Sequence, residues 1–447
     1  MSVVAAKPWP KMTSREEFRF LADLVLTRSS GDQTMVTLHD LHAGTTRFAN
    51  NQVVQNVDTR RGTLAVTVAF GRRHGTASTT DFTAGSVQEM LMRAERIARV
   101  SPDDPEYLPP PEPQPFAARE TARPETEATG PARRLEYANE AIGQCRMENL
   151  MAAGIVSSSV ASVGIAANNG LFGCETRTDA RFSLTVQAGD ATGWNAAAHR
   201  SIDHLKIQER TLAAIQKAKR GREPRELPPG QYPVVLEPAA VAGLWTWLLW
   251  ALDAKSYEKG TSPFAGKLRE RIVDRRLTLT NSPGHADLLG VGFTAEGLPS
   301  GPSTWIDHGV LTQLAYDRFT AQVQGVKVIP TWEAPVLSVD GAASGTVQDL
   351  VKRADRTILV TNFWYIRSVN PTNLTLTGMT RDGTFLVENG EIVSAIKNLR
   401  FHESPLRVFR QIDAWTMPME AVTAKTGKML APAMALPQFH FSSVTKF

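Results

Sequence analysis

GLWTWLLWALDAK, residues 243–255, carries Trp245, Trp247 and Trp250, three of the chain's nine tryptophans. The segment is apolar on nearly every side, and a helix of that kind belongs in a core or against a partner. At about 100° per residue, Trp247 and Trp250 fall near one face with Leu244 and Ala251, and Trp245 is turned toward another. The helical wheel assigns Trp247 and Trp250 to the core. It leaves Trp245 as the possible interface or chamber residue. The run falls short of the roughly 18 residues that suggest a membrane span.

Upstream, GREPRELPPGQY (221–232) is the clearest boundary, because its prolines and glycines interrupt regular structure. Beyond it, residues 233–447 read as a β-rich domain with one or two embedded helices. VVLEP (234–238) is a strand. WIDHGVL (305–311) and TFLVENGEIV (384–393) each place a turn signal between apolar residues, the pattern of a hairpin.

Two strand-and-helix units, 1–100 and 131–220, precede the linker 221–232 and flank a proline-rich connector, 101–130. Residues 44–80 alternate apolar and polar side chains between turn signals and predict antiparallel strands. Val87, Met90, Leu91, Ala94, Ile97 and Ala98 form the apolar stripe of a helix. A second helix is predicted over 132–148 with Leu135, Ala138, Ile142 and Cys145 inward. Small-residue strands follow over 151–190, with a turn at Asn169-Gly170, and a third helix over 203–219 carries Leu205, Leu212 and Ile215 on one face. Seven prolines between 101 and 116 forbid a buried strand or helix there, which predicts a surface connector cut early by proteases. No sequence repeat relates the two units. The fold class is α+β: an N-terminal two-unit α/β region followed by a β-rich C-terminal domain.

At 447 residues the chain exceeds one ordinary core. With 42% hydrophobic and 21% charged residues it has the composition of a folded protein. The net charge of +4 is spread over interleaved acids and bases, with no continuous basic stripe to mark a nucleic-acid footprint. Cys145 and Cys174 stand in no CxxC arrangement, which argues against a disulfide scaffold and suits a reducing compartment. Pro8 and Pro10 break the N-terminus before a signal-peptide core can form. The expectation is a cytoplasmic protein with no membrane or nucleic-acid partner.

A local active site is missing. There is no GxSxG elbow and no Walker loop, and GVG at 290–292 lacks the third glycine of a dinucleotide loop. His39 and His42 precede the predicted strands and read as solvated or capping residues. His402-Glu403 is followed by Pro405, Leu406 and Arg407 where a helical zinc site needs a second histidine. His308 sits at a predicted hairpin tip.

Five stretches in order resemble the TldD/PmbA (TldD/TldE) metallopeptidase family. They are TTRFANNQVVQNV (45–57), RVSPDDPEYLPPP (99–111), SYEKGTSPFAGKL (256–268), EGLPSGPSTWIDHGVLTQLAYDRFTA (296–321) and TRDGTFLVENGEIVSAIKNLRF (380–401). The resemblance implies two related subunits closed around a peptide-degrading chamber. One, TldD-like, holds zinc through His-Glu-x-x-x-His and a C-terminal cysteine. The other, TldE- or PmbA-like, has the fold without the ligands. In this sequence the ligand positions fall on Trp247 and Leu252 and the general-base position on Leu248. The cysteine position falls near Thr426, Gly427 and Lys428, and no cysteine follows Cys174. The resemblance therefore implies no catalytic residue, no metal ligand and no cofactor in this chain. Zinc is expected in a TldD-like partner of a heterodimer, with flexible peptides as substrate.

Two other readings remain. One is a stand-alone hydrolase, with His285, Asp287 and His308 brought together by folding. The other is a peptide-binding regulatory homodimer.

Overall fold

The computed structural model describes residues 11–423 and 427–445. Its first helix, α1 (Arg15–Leu26), begins at a capping box: the Ser14 side chain and Glu17 satisfy each other's backbone donors. Three strands follow, β1 (Gln33–Ala49), β2 (Gln52–Phe70) and β3 (Arg73–Thr79), then α2 (Ala84–Val100). After the connector and the short α3 (Pro124–Glu127) the pattern recurs: α4 (Pro131–Met147), β4 (Met151–Ala167), β5 (Phe172–Ala188), β6 (Ala191–His199) and α5 (Ile207–Arg220). Each unit is helix, long hairpin, short strand, helix. β1 pairs antiparallel with β4, so the units join into one sheet of order β3-β2-β1-β4-β5-β6.

The repeat invisible in the residues is plain in the structure, because what recurs is the alternation of burial along 17-residue strands. α1 and α2 cover one half of the sheet through Phe18, Leu21, Met90 and Leu91 against Val36, Leu64 and Val66. α4 and α5 cover the other through Ala138, Ile142 and Ile215 against Phe182 and Leu184.

Several inward assignments change. Ile97 is 39% and Leu212 47% exposed, and Leu135 is only half-buried. The inward place on α4 is taken by Arg134, fully buried and donating to Asp58 (2.6 Å) and Ser158 (3.2 Å). The strands also start earlier than predicted, at Gln33, so His39 and His42 lie within β1. Three residues apart on a strand, they point to opposite faces: His39 is exposed and His42 buried, its Nε2 3.6 Å from Asp58. Asp40 is buried beside them. Burial would raise its pKa, but hydrogen bonds from Arg60 and Thr13 outweigh that and hold it below the usual carboxylate value.

The connector has no regular structure over 106–123 but is tied down on both sides. Thr178 donates to the Thr121 carbonyl (2.9 Å) and Asn169 to that of Pro111 (3.0 Å). Arg119 reaches the carbonyls of Val291 (3.1 Å) and Ser300 (3.0 Å), and Phe116 packs on Phe293. It is a strap between the N-terminal sheet and the C-terminal region.

The C-terminal region holds β7 (Gly230–Leu236), α6 (Pro238–Trp250), α7 (Ala254–Glu258), β8 (Leu277–Asn281), β9 (Ser303–Asp307), β10 (Val310–Leu311), α8 (Arg318–Gln324), β11 (Pro335–Val339) and α9 (Val347–Lys352). It continues with β12 (Arg356–Asn370), β13 (Thr375–Glu388), β14 (Glu391–Ala395), β15 (Leu399–Glu403), α10 (Pro405–Val408), β16 (Ala414–Trp415), β17 (Met419–Thr423), β18 (Gly427–Ala431) and β19 (Met434–Val444). The predicted one or two helices are thus five short ones among the described residues. The strands form one sheet of order β10-β9-β8-β11-β18-β17 and another of order β12-β7-β19-β15-β13-β14, with β16 paired to β19. Both turn signals form as read: His308-Gly309 and Asn389-Gly390 all have positive φ, as a type I′ hairpin turn requires.

The tryptophan helix α6 lies between these sheets, touching β7 and β12 of one and β17 and β18 of the other. That position explains its nearly uniform apolarity. The tryptophan assignment, however, inverts. Trp245 is 0% exposed, its ring 5.4 Å from that of Phe409, so it can be neither a chamber wall nor an interface residue. Trp250 is 42% exposed, and Trp247, half-buried, meets it edge-on at 5.3 Å. The wheel properly set Trp247 and Trp250 apart from Trp245, although Leu244, placed with them, is buried; which group faces inward depends on where the two sheets stand.

Burying an indole of about 150–250 Å² is worth several kcal/mol at about 25 cal/mol per Å². This outweighs the roughly 1–3 kcal/mol cost of the Trp245 Nε1, which has no acceptor among the described residues. We expect Trp245→Ala to cost about 3–5 kcal/mol in denaturant unfolding. Trp245→Phe should cost much less, and Trp250→Ala about 1 kcal/mol or under. Equal losses at 245 and 250 would contradict this placement. The strap yields a second expectation, opposite to early cleavage: native-state trypsin should cut after Arg119 more slowly than after exposed Arg222. Faster cutting in the strap would show that its hydrogen bonds do not hold it.

Candidate functional site

The C-terminal turn of α6 is where the family resemblance places the chemistry, and its residues are set by the helix repeat. Residues 243, 247, 250 and 251 form the one stripe not sealed in the core. Trp247 and Trp250 stand on it, and Trp332 joins them by donating its Nε1 to the Leu249 carbonyl (3.1 Å). Three indoles thus lie at the C-terminal end of the helix.

Leu248 and Leu252, the base and second-ligand positions, face the other way. Each is 1% exposed in the large apolar cluster with Phe264, Leu277 and Met429. The backbone after the helix is held by paired bonds to Ala315, from Ala254 N (2.9 Å) and to Leu252 O (2.7 Å). A zinc site needs three or four nitrogen, sulfur or carboxylate ligands converging on one point. Trp247, Leu248 and Leu252 supply none, and no cluster of three or more His, Cys, Asp or Glu able to hold a metal occurs among the described residues. The residues present do not fit zinc.

Of the three positions near the family's cysteine, Thr426 lies outside the described residues. Gly427 has a φ of 75° and opens β18. Lys428 is buried, its ammonium given to the Ala198 carbonyl and to Glu420 (3.2 Å). Burial pushes its pKa down and Glu420 partly restores it. Glu420 also accepts from Arg210 and from Ala198 N (2.9 Å), so this carboxylate fastens β17 and β18 to the end of β6. Sequence reading missed this cluster, whose members are 210, 420 and 428 and carry no local pattern.

The His285, Asp287 and His308 grouping does not assemble as a triad. Asp287 lies 4.0 Å from both His285 and His199. The His308 Nδ1 instead meets Asp340 at 2.7 Å, at the hairpin tip. The cysteines offer no nucleophile either, since burial pushes both thiols up to about 11. Thr246 on α6 donates its hydroxyl to the Ala242 carbonyl (2.8 Å). The arrangement can bind through aromatic surface; none of the candidate residues above forms a paired nucleophile and base among the described residues.

Comparison with known proteins agrees with this architecture. Residues 122–221 match the PmbA/TldA metallopeptidase central domain and residues 229–443 the PmbA/TldA metallopeptidase C-terminal domain. A metalloprotease TldD homolog from Buchnera aphidicola is 22% identical over 58% of this chain and 58% of its own length, so the chain spans little more than half of that relative. The crystal structure of TldE from Thermococcus kodakarensis superposes with a TM-score of 0.85 at 19% identity, covering 96% of this chain and 100% of that one. A Thermotoga maritima protein solved as a candidate modulator of DNA gyrase gives 0.85 at 18% identity, over 95% and 100%. At such identities the superpositions speak for the fold. Together with the two domain matches, which span most of the sequence, they place the chain in the TldD/PmbA metallopeptidase family.

Proposed function

We propose that this chain is the non-catalytic, TldE/PmbA-like subunit of a two-chain zinc metallopeptidase acting on flexible peptides. The observation that carries the reading is the burial of Leu248 and Leu252 at 1% exposure, in apolar contact where a general base and a ligand would have to reach a metal. A peptidase needs a metal-activated water or an activated nucleophile to reach its rate. In this reading a TldD-like partner supplies zinc and base, and this chain supplies surface. Trp247, Trp250 and Trp332 serve as the aromatic contact to that partner or to the peptide between them. Indoles that are exposed or half-buried at a surface are common anchors of binding energy. No helix among the described residues is long and apolar enough to cross a membrane, and we take the pair to work in the cytoplasm.

The test is cleavage of an unstructured peptide by this chain, by a TldD-like partner and by the mixture. Activity should appear in the mixture and vanish on chelation, and Trp250→Ala should weaken pairing or cleavage by about tenfold or more. Cleavage by the isolated chain that survives chelation would overturn the reading in favour of a stand-alone hydrolase. A stable homodimer that never associates with the partner would favour a peptide-binding regulator.

A further inference from the structure

Away from the indoles, two segments rich in arginine line one cleft of about 590 Å³ at the end of the seven-stranded sheet. One is the loop over 267–276 that leads into β8. The other is α10 with the residues after it. Arg271 and Arg410 line this cleft and also an adjoining one, and so form their common wall.

Two buried carboxylates here are fully engaged inside the protein. Glu403, its side chain 3% exposed, accepts from Arg407 Nε (2.8 Å) and from the backbone of Ser404 (2.8 Å) and His440 (3.1 Å). Asp274 accepts from both sides of the Arg276 guanidinium (2.9 and 2.8 Å) and from Ile412 N (3.3 Å). With those pairs neutral, the charges left on the two linings are Lys267, Arg271, Arg275 and Arg410 against Glu270 alone. The Lys267 ammonium donates to the Pro263 carbonyl (2.8 Å), an uncharged partner.

The backbone that carries the cations is braced. Asp274 N donates to the Phe409 carbonyl (2.8 Å), tying the first segment to the second. The Phe409 ring in turn rests on Trp245 in the core. Guanidinium groups carried on braced backbone lose less entropy when they grip a ligand, and their forked donors match carboxylate and phosphate oxygens. The lining contains no Phe, Tyr or Trp on which a nucleobase could stack. A concave site with three unpaired cations in each lining and no Phe, Tyr or Trp ring suits a compact polyanion better than a nucleic-acid strand.

We propose that this cleft is an oxyanion-binding site, in which Arg271 and Arg410 grip a compact ligand bearing two or more phosphate or carboxylate groups. The test uses the full chain and two probes, inorganic tripolyphosphate and a hexaglutamate peptide. Calorimetry is run at about 0.15 M ionic strength, where exposed charges more than about 8 Å apart are screened. Saturable binding of tripolyphosphate alone assigns the site to phosphates, of hexaglutamate alone to peptide carboxylates, and of both to either source. Arg271→Gln with Arg410→Gln should weaken binding by about tenfold or more, as loss of charge-assisted hydrogen bonds implies. Removing the same charge at exposed Arg47 and Arg61, on the N-terminal sheet, should change it by less than about threefold. In the unmodified chain, the bound probe should protect Arg271 and Arg410 from phenylglyoxal. No saturable binding of either probe, equal loss in the two double variants, or no protection would overturn the proposal.

Discussion

The C-terminal half is organised around a helix that two sheets enclose. α6 touches strands of both sheets, so nearly every position on it must be apolar, and Trp245 fills the tightest place against Phe409. The indole N–H left without an acceptor among the described residues shows how strongly packing dominates there. The same contact reaches the surface, because Phe409 lies between Arg407 and Arg410 and its carbonyl receives the Asp274 amide. Core packing thus fixes the geometry of a charged cleft. On another face of the helix the one unsealed stripe carries Trp247 and Trp250.

A second set of constraints joins the halves of the chain. The strap over 106–123 is hydrogen-bonded to β5 and to the loop before β9. Glu175 pairs with Arg177 and accepts from Gly292 N (3.0 Å). Arg200, buried, donates to the carbonyls of Thr121, Thr178 and Gly290, and desolvation pulls its pKa to about 10. Lys428 and Glu420 add the tether from β17 and β18. Buried charges of this sort are costly to expose singly, since each would leave a partner unpaired. Near the place where the resemblance implies a metal-binding cysteine, this chain places the structural lysine Lys428.

Much of the architecture was legible because it rests on local signals. The α2 stripe, the Asn389-Gly390 and His308-Gly309 turns and the proline-rich strap follow from residue chemistry within a few positions. α1 was missed although Ser14 and Glu17 spell a capping box. The first half of β1 was missed although Val36, Thr37, Leu38 and His39 alternate. What no window could show is which face of an all-apolar helix looks outward; that is why Trp245 and Trp250 exchanged roles. Nor could it show that Arg134 would be buried, because its partner Asp58 is 76 residues away. The candidate site was legible only through the family resemblance. The third indole, Trp332, and the arginine cleft both depend on long-range packing.

Leu248 and Leu252, where the resemblance implies a general base and a zinc ligand, are packed core in this chain. Elemental analysis of the purified chain after incubation with zinc and passage over a chelating resin tests this central claim most directly. The account expects far less than stoichiometric metal, with no change when Leu248 and Leu252 are replaced by methionine, which keeps the core apolar. One tightly held zinc ion per chain, lost on those replacements, would contradict it.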